Sequence, residues 1–237
     1  MSVITGVKVR GLHVRRWGAG GQVAVLVHGM SADSGSWSRL GPELAGRGYE
    51  VLAVDLPGHG RSPRWPGYTF EEMADALVAA VPPGPELIVG HSLGGRLVSM
   101  AVDRIRPAKV IYEDPAWSAG TEEVARAFEA RRNATAEQLR AASPRWPEAA
   151  RQATLAALER WDPATAGLVR CQHAHWPAVA SGTSALVVLA DPSPVVPPQA
   201  AARLAGDGFV VRTVPGAGHV IHHDDFDGFV SAAGRCW

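Results

Sequence analysis

Short apolar runs separated by longer amphipathic stretches set the rhythm of this chain. Val23–Val27, Glu50–Val54, Leu87–Val89 and Lys109–Tyr112 read as buried strands bounded by glycine, proline or polar positions. Between them, apolar residues recur at helical spacing over Ser36–Arg47, Phe70–Val81 and Leu93–Arg104. Alternation of the two periods predicts a mainly parallel sheet with helices on both faces. Val7 to Val14 reads as an opening hairpin with Gly11 near its turn, and Ala185–Leu189 and Phe209–Val214 resume the strand pattern late in the chain. Between Pro115 and Gly182 the rhythm stops. Thr121–Asn133, Ala136–Ala142, Pro147–Trp161 and Pro163–Ala174 read as helices, punctuated by Pro144, Pro147, Pro163 and Pro177. The pattern therefore predicts an α/β core from residues 1–114 and 183–237, with residues 115–182 inserted as a helical cap. In an open parallel sheet a site belongs at the carboxyl ends of the strands.

One strand end carries recognisable chemistry. Glu86-Leu87-Ile88-Val89 runs directly into Gly90-His91-Ser92-Leu93-Gly94-Gly95, and a helical pattern follows at Leu97, Val98, Ala101 and Val102. A strand, a Gly-x-Ser-x-Gly turn and a helix together form a nucleophile elbow. The turn must be sharp enough for the serine hydroxyl to stand clear of the backbone. Gly90 and Gly94 lack the Cβ atoms that would clash there. A helix beginning at this point aims free N–H groups and its positive dipole end at the place where negative charge would develop.

Partners for Ser92 lie at two other strand ends. Val23–Val27 leads into His28-Gly29-Met30. An oxyanion hole needs two convergent N–H donors. The backbone of Leu93, next to the serine, is one candidate, and the backbone of Met30 is the other. Phe209–Val214 leads into Pro215-Gly216-Ala217-Gly218-His219. A histidine on a glycine-rich loop past the last strand can reach the serine as general base. The chain has nine histidines, and position singles out His219. His28 and His91 are expected to shape the oxyanion loop and the elbow, and His222 and His223 to cap or face solvent.

Taken in order, Val27-His28-Gly29, Asp55-Leu56-Pro57-Gly58-His59-Gly60-Arg61-Ser62, Gly90–Gly95 and Gly216–His219 resemble the α/β-hydrolase family over nearly the full length. The resemblance implies an α/β-hydrolase fold with a Ser-His-Asp triad. It gives the Asp55–Ser62 block a structural role only. The triad acid departs from the family pattern. Relatives carry it after the next-to-last strand, where this chain has Ala190-Asp191-Pro192-Ser193-Pro194-Val195-Val196-Pro197. Ser193 stands at the usual acid position and cannot hold the charge. Asp191 lies two residues early. The alternative is Asp114, at the end of Lys109-Val110-Ile111-Tyr112-Glu113, a strand end from which a haloalkane dehalogenase subfamily takes its acid. Dehalogenase chemistry itself does not carry over, because that group uses an aspartate nucleophile. Asp114 is favoured over Asp191. The inserted segment sits where the family places its cap. Trp117, Trp146 and Trp161 fall in it, and Trp37 follows the oxyanion loop, so these four are expected to line an aromatic pocket.

Composition narrows the function class. Lys+Arg and Asp+Glu both number 23 in 237 residues, so no basic excess points to nucleic acid. No apolar run spans a bilayer and the N-terminus has no signal-like core. Cys171 and Cys236 make no disulfide framework, so free thiols and a cytoplasmic setting are expected. No metal or organic cofactor is implied. The expected partner is a small molecule of hydrophobic or aromatic character, and the sequence does not set an oligomeric state. The reading is a serine hydrolase cleaving a carboxylic ester or lactone, with a thioester possible, through an acyl-enzyme on Ser92. The alternatives are a carbon–carbon bond hydrolase, a cyclising or acyl-transfer enzyme, and a ligand-binding protein on the same fold.

Overall fold

The computed structural model describes residues 4–9, 11–170, 173–234 and 237; Cys171 and Cys236 lie outside them. The chain opens with strands β1 (Ile4–Val9), β2 (Leu12–Trp17) and β3 (Gln22–Val27), then helix α1 (Leu40–Gly46). β4 (Tyr49–Val54), α2 (Phe70–Ala80), β5 (Leu87–His91), α3 (Leu93–Ile105) and β6 (Lys109–Glu113) follow in strict alternation. Helices α4 (Glu122–Arg131), α5 (Ala136–Ala142), α6 (Glu148–Arg160) and α7 (Gly167–Arg170) come next. β7 (Ser184–Leu189), α8 (Pro198–Gly206), β8 (Val210–Thr213), α9 (Ile221–Asp224) and α10 (Phe226–Ala233) complete the chain.

The strands form an eight-stranded sheet in the order β1-β2-β4-β3-β5-β6-β7-β8. β2 runs antiparallel to both β1 and β4, and every pair from β4 to β8 is parallel. Side chains alternate across the sheet. β3 sends Val25 and Val27 to one face, with α2, α3 and α8, and Ala24 and Leu26 to the other, with α1 and α10. Both faces are covered, so the central strands are apolar on both sides, and each buried aliphatic contributes about 1.5–3 kcal/mol. The expected α/β-hydrolase architecture is present, with strands β3, β5 and β6 delivering Met30, Ser92 and Asp114 to one rim.

Two expected helices are shorter than their apolar patterns. The stretch Ser36–Arg47 splits into a one-turn 3-10 helix, Ser34–Trp37, and α1. Pro42 has no N–H to give to a continuous helix; starting afresh at Leu40 puts it in a first turn, where that donor has no partner anyway. The described part of the stretch Pro163–Ala174 forms a 3-10 turn, Pro163–Ala166, and then α7, and residues 171–172 of the expected helix lie outside the described residues.

Candidate active site

Ser92 joins β5 to α3 in a strained conformation, φ 51° and ψ −114°. Non-glycine residues in this region cost on the order of 1–3 kcal/mol and persist only where neighbours hold them. Here Ser92 N–H donates to Glu113 O at 3.0 Å, and Ala116 N–H donates to Ser92 O at 3.1 Å. Glycine is required on both sides. A Cβ on Gly94 would lie 2.3 Å from Val27 O, and one on Gly90 would lie 2.8 Å from Gly94 O. The glycines thus let β3, β5 and α3 converge on one point.

His219 reaches that point from the loop after β8. Its Nε2 is 2.9 Å from Ser92 Oγ, and its Nδ1 is 2.6 Å from Asp114 Oδ2. The carboxylate accepts from Nδ1–H, which leaves Nε2 to accept the serine proton. Asp114 is fully buried. It too is strained, at φ 38°, and is held by its N–H on Val188 O at 2.8 Å and its Oδ1 on Ala190 N–H at 3.2 Å. Asp191 does not approach His219. It is exposed, and its Oδ2 accepts Gly216 N–H at 3.2 Å, tying two loops together. Ser193 Oγ accepts Val196 N–H at 2.8 Å within its own loop.

The oxyanion loop packs against the elbow. A Cβ on Gly29 would lie 2.7 Å from His91 Nδ1 and 3.1 Å from Ser92 Cβ. His28 fixes this loop, with Nδ1–H on Gly29 O at 2.8 Å and Nε2 accepting Leu56 N–H at 3.0 Å. Burial lowers the pKa of His28 and keeps the ring neutral for that pairing. Leu93 opens α3, so its N–H has no intrahelical partner. Met30, Leu93, Ser92 and His219 border one cavity of about 270 Å³, whose remaining wall is mostly apolar and includes Phe70, Phe128, Leu168 and Val195. A smaller lobe of about 60 Å³ shares Met30, Ser92, Phe128 and His219 with it.

The tryptophan-lined pocket expected from the sequence is corrected. Trp37, Trp117 and Trp161 are fully buried and are not on the wall of the large cavity. Trp37 stacks on His222 with ring centroids 4.3 Å apart. Trp117 packs on Tyr112 at 4.9 Å and donates its indole N–H to Ser99 Oγ. Trp161 donates to Thr165 Oγ1 at 2.7 Å. Such large rings gain most when wholly enclosed, and these three serve the core, Trp117 and Trp161 with the indole N–H paired. Trp146 borders only the small lobe.

His222 and His223 are also corrected, because both are buried rather than solvent-facing. They belong to a second hydrogen-bonded chain that the sequence does not announce. His222 Nδ1 lies 2.8 Å from both carboxyl oxygens of Glu113, its N–H donates to Oε1 at 2.9 Å, and its Nε2 is 2.9 Å from Ser36 Oγ. His223 Nε2 is 3.1 Å from the same hydroxyl. Burial pushes Glu113 up to about 7 and His222 down to about 3. The adjacency of Glu113 to Asp114 and the three-residue step from His219 to His222 are local hints of this pairing. Ser36 is 186 residues away from its partner and gives none.

Among the described residues, no group of three or more His, Cys, Asp or Glu side chains could hold a metal ion, and no helix is long and apolar enough to cross a membrane. Residues 24–232 match the Alpha/beta hydrolase family. The chain belongs to this family. Within it, the chain is 40% identical over 100 residues to a pimeloyl-acyl-carrier-protein methyl ester esterase of Methylococcus capsulatus, covering 42% of this chain and 38% of that one. It is 38% identical over 115 residues to lipase LipV of Mycobacterium tuberculosis, covering 44% and 42%. The match thus spans about two fifths of the length of these curated relatives. Over the whole chain the fold is similar to that of an N-formylmaleamic acid deformylase from Pseudomonas putida S16 (TM-score 0.77, 21% identity, 97% and 99% coverage). It is also similar to an enol-lactonase from Burkholderia xenovorans LB400 (TM-score 0.75, 18% identity, 98% of each chain).

Proposed function

We propose that this α/β hydrolase cleaves carboxylic esters through an acyl-enzyme on Ser92. The observation that carries the reading is the unbroken chain Ser92–His219–Asp114, opening on an apolar cavity that Met30 and Leu93 also line. Partial matches to proteins named as an ester esterase and a lipase support it. Ser92 Oγ attacks the carbonyl carbon as His219 Nε2 takes its proton. Asp114 orients the imidazole and stabilises the imidazolium. The two N–H groups receive the oxyanion, and each such donor is worth about 10²–10³-fold in kcat. His219 then gives its proton to the leaving alcohol. Water, deprotonated by the same ring, releases the acid. Lactones and thioesters present the same carbonyl to the same groups.

Residues 115–182 act in this scheme as a cap over the strand ends. Phe128 and Leu168 of this segment line the cavity opposite Ser92, which favours an apolar substrate arm there. The test is a fluorophosphonate probe with 4-nitrophenyl butyrate as substrate. Covalent labelling mapped to Ser92, with turnover abolished by Ser92→Ala, is the expected result. Turnover by purified Ser92→Ala close to that of the parent protein would end the reading.

A further inference from the structure

The small lobe beside Ser92 contains a charge that the proposed hydrolysis does not use. The arginines of residues 115–182 are otherwise engaged. Arg126 and Arg170 hold Glu122, and Arg140 and Arg151 hold Glu148. Arg145 holds Asp224, Arg160 holds Asp33, and Arg132 donates to the Trp161 carbonyl. Arg131 differs. Among the described residues its guanidinium makes no hydrogen bond and no ion pair, yet it is half-buried and borders the small lobe together with Ser92 and His219. Burial lowers its pKa, with no carboxylate acting to raise it, and an arginine remains a cation under such a shift.

The lining of the two lobes differs in kind. No Asp or Glu borders the small lobe, so nothing there neutralises Arg131. Its other polar walls are hydroxyls and histidines, and burial holds His91 and His223 well below their ordinary pKa, hence neutral. The large lobe has no Arg, Lys, Asp or Glu on its wall. Removing a cation from water without a counter-charge is costly, and a ligand carboxylate that forms a two-pronged pair with the guanidinium offsets that cost. The lobe's volume of about 60 Å³, opening at Ser92, limits what it holds to a few heavy atoms.

We infer that Arg131 is a carboxylate-binding residue, and that the substrate is an ester bearing a free carboxylate a few bonds from the scissile carbonyl, with its apolar arm in the large lobe. The inference rests on the esterase reading and narrows it to anionic esters.

Two matched pairs of esters test it, one for each direction of binding. Monobenzyl glutarate is compared with benzyl pentanoate, and 3-(phenylacetoxy)propanoate with propyl phenylacetate. Release of the alcohol is followed by chromatography. In at least one pair the wild-type kcat/KM is expected to favour the anionic ester. Arg131→Met should lower that anionic-to-neutral ratio about 10- to 100-fold, the worth of a hydrogen-bonded charge pair. Arg131→Lys should fall between, since it keeps the charge but loses the fork. Thermal melting checks that each variant is folded. No anionic preference in either pair, or a ratio unmoved by Arg131→Met in folded protein, overturns the proposal. A binding measurement needs no turnover. Calorimetry of both anionic esters on Ser92→Ala should detect one of them, weakened by the same factor in Ser92→Ala/Arg131→Met. Binding that depends on Arg131 without turnover by the wild type would sink the esterase reading and keep the carboxylate site. Turnover without such binding would do the reverse.

Discussion

Two chains of serine, histidine and carboxylate lie side by side in this molecule, and only one has the surroundings of an active site. Ser92–His219–Asp114 and Ser36–His222–Glu113 take their acids from adjacent residues at the end of β6 and their histidines from positions three apart. Their hydrogen-bond distances fall between 2.6 and 2.9 Å. What differs is everything around them. Ser92 is strained into a turn at the N-terminus of α3, whose first N–H groups have no intrahelical partner. Ser36 lies in a relaxed 3-10 turn whose N–H groups are spent. Ser34 N–H donates to Asp55, and Gly35 and Ser36 N–H donate to Asp33. The His219 side chain is 28% exposed and that of His222 is 2% exposed. Burial holds His222 neutral down to about pH 3, so it makes a poor proton acceptor. Three groups in hydrogen-bond order are therefore an insufficient definition of a catalytic site. Oxyanion donors, an accessible carbonyl position and a base able to carry charge make the difference.

The largest expected effect tests that comparison directly. Ser92→Ala should lower kcat on 4-nitrophenyl butyrate by about 10⁶-fold, as when the serine of a cooperating triad is removed. Ser36→Ala should leave kcat within about threefold. Its effect belongs to stability, because it strands the ring nitrogens of His222 and His223 at a cost of about 1–3 kcal/mol. A comparable loss of kcat in folded Ser36→Ala would break the distinction between the two chains.

The acids come next. Asp114→Asn should cost about 10⁴-fold in kcat, because an amide favours the wrong tautomer of His219 and leaves its cation unpaired. Asp191→Asn, at a position that only ties the loop of Gly216, should keep most of its activity. The reverse ranking would mean that the β7 loop rearranges when substrate binds.

These variants also mark what the sequence can and cannot disclose. Ser92, Met30 and His219 are legible because local patterns encode them: an apolar strand, then glycines where backbones must touch, then the reactive residue. The choice between Asp114 and Asp191 is not local. Both end strands in the same sheet, and what separates them is a hydrogen bond from Ala190 N–H that aims Asp114 inward while Asp191 turns to Gly216. The tryptophans mislead because a large apolar ring near the strand ends fits a pocket wall and a core equally well on pattern alone. Helix positions survive better than helix lengths, since one proline moves the start of α1 and a 3-10 turn replaces the start of the helix expected over Pro163–Ala174. Ser36 and Arg131 escape altogether, and Glu113 offers only its adjacency to Asp114. Their significance comes from what they touch, or fail to touch, far away in the chain.

The smallest expected effect sharpens the comparison through pH. His59 and His222 are held at about 3 by burial, against an ordinary value of 6.5. Between pH 6.5 and 3 the unfolded chain therefore binds about two more protons at these positions, and stability falls as pH falls. Glu113 acts in the opposite sense. Burial raises it from 4.5 to about 7, so between those values the folded protein binds the extra proton. Its contribution is complete below pH 4.5 and is lost as pH rises through about 7. From pH 6.5 to 4.5 these three groups leave a net of one proton, or a decline of about 1.4 kcal/mol per pH unit on acidification. Glu113→Gln keeps an oxygen for the two His222 N–H donors but cannot titrate. Its stability should therefore decline about 1.4 kcal/mol per pH unit more steeply than the parent's across that window, the offsetting proton being gone; His28, His91 and His223, also held low by burial, add the same slope to both proteins. Urea unfolding of the parent and Glu113→Gln proteins at pH 6.5, 5.5 and 4.5 measures both slopes. Equal slopes would mean that Glu113 is ionised in the folded protein at pH 5, and the reading of the Ser36 chain as neutral would fall.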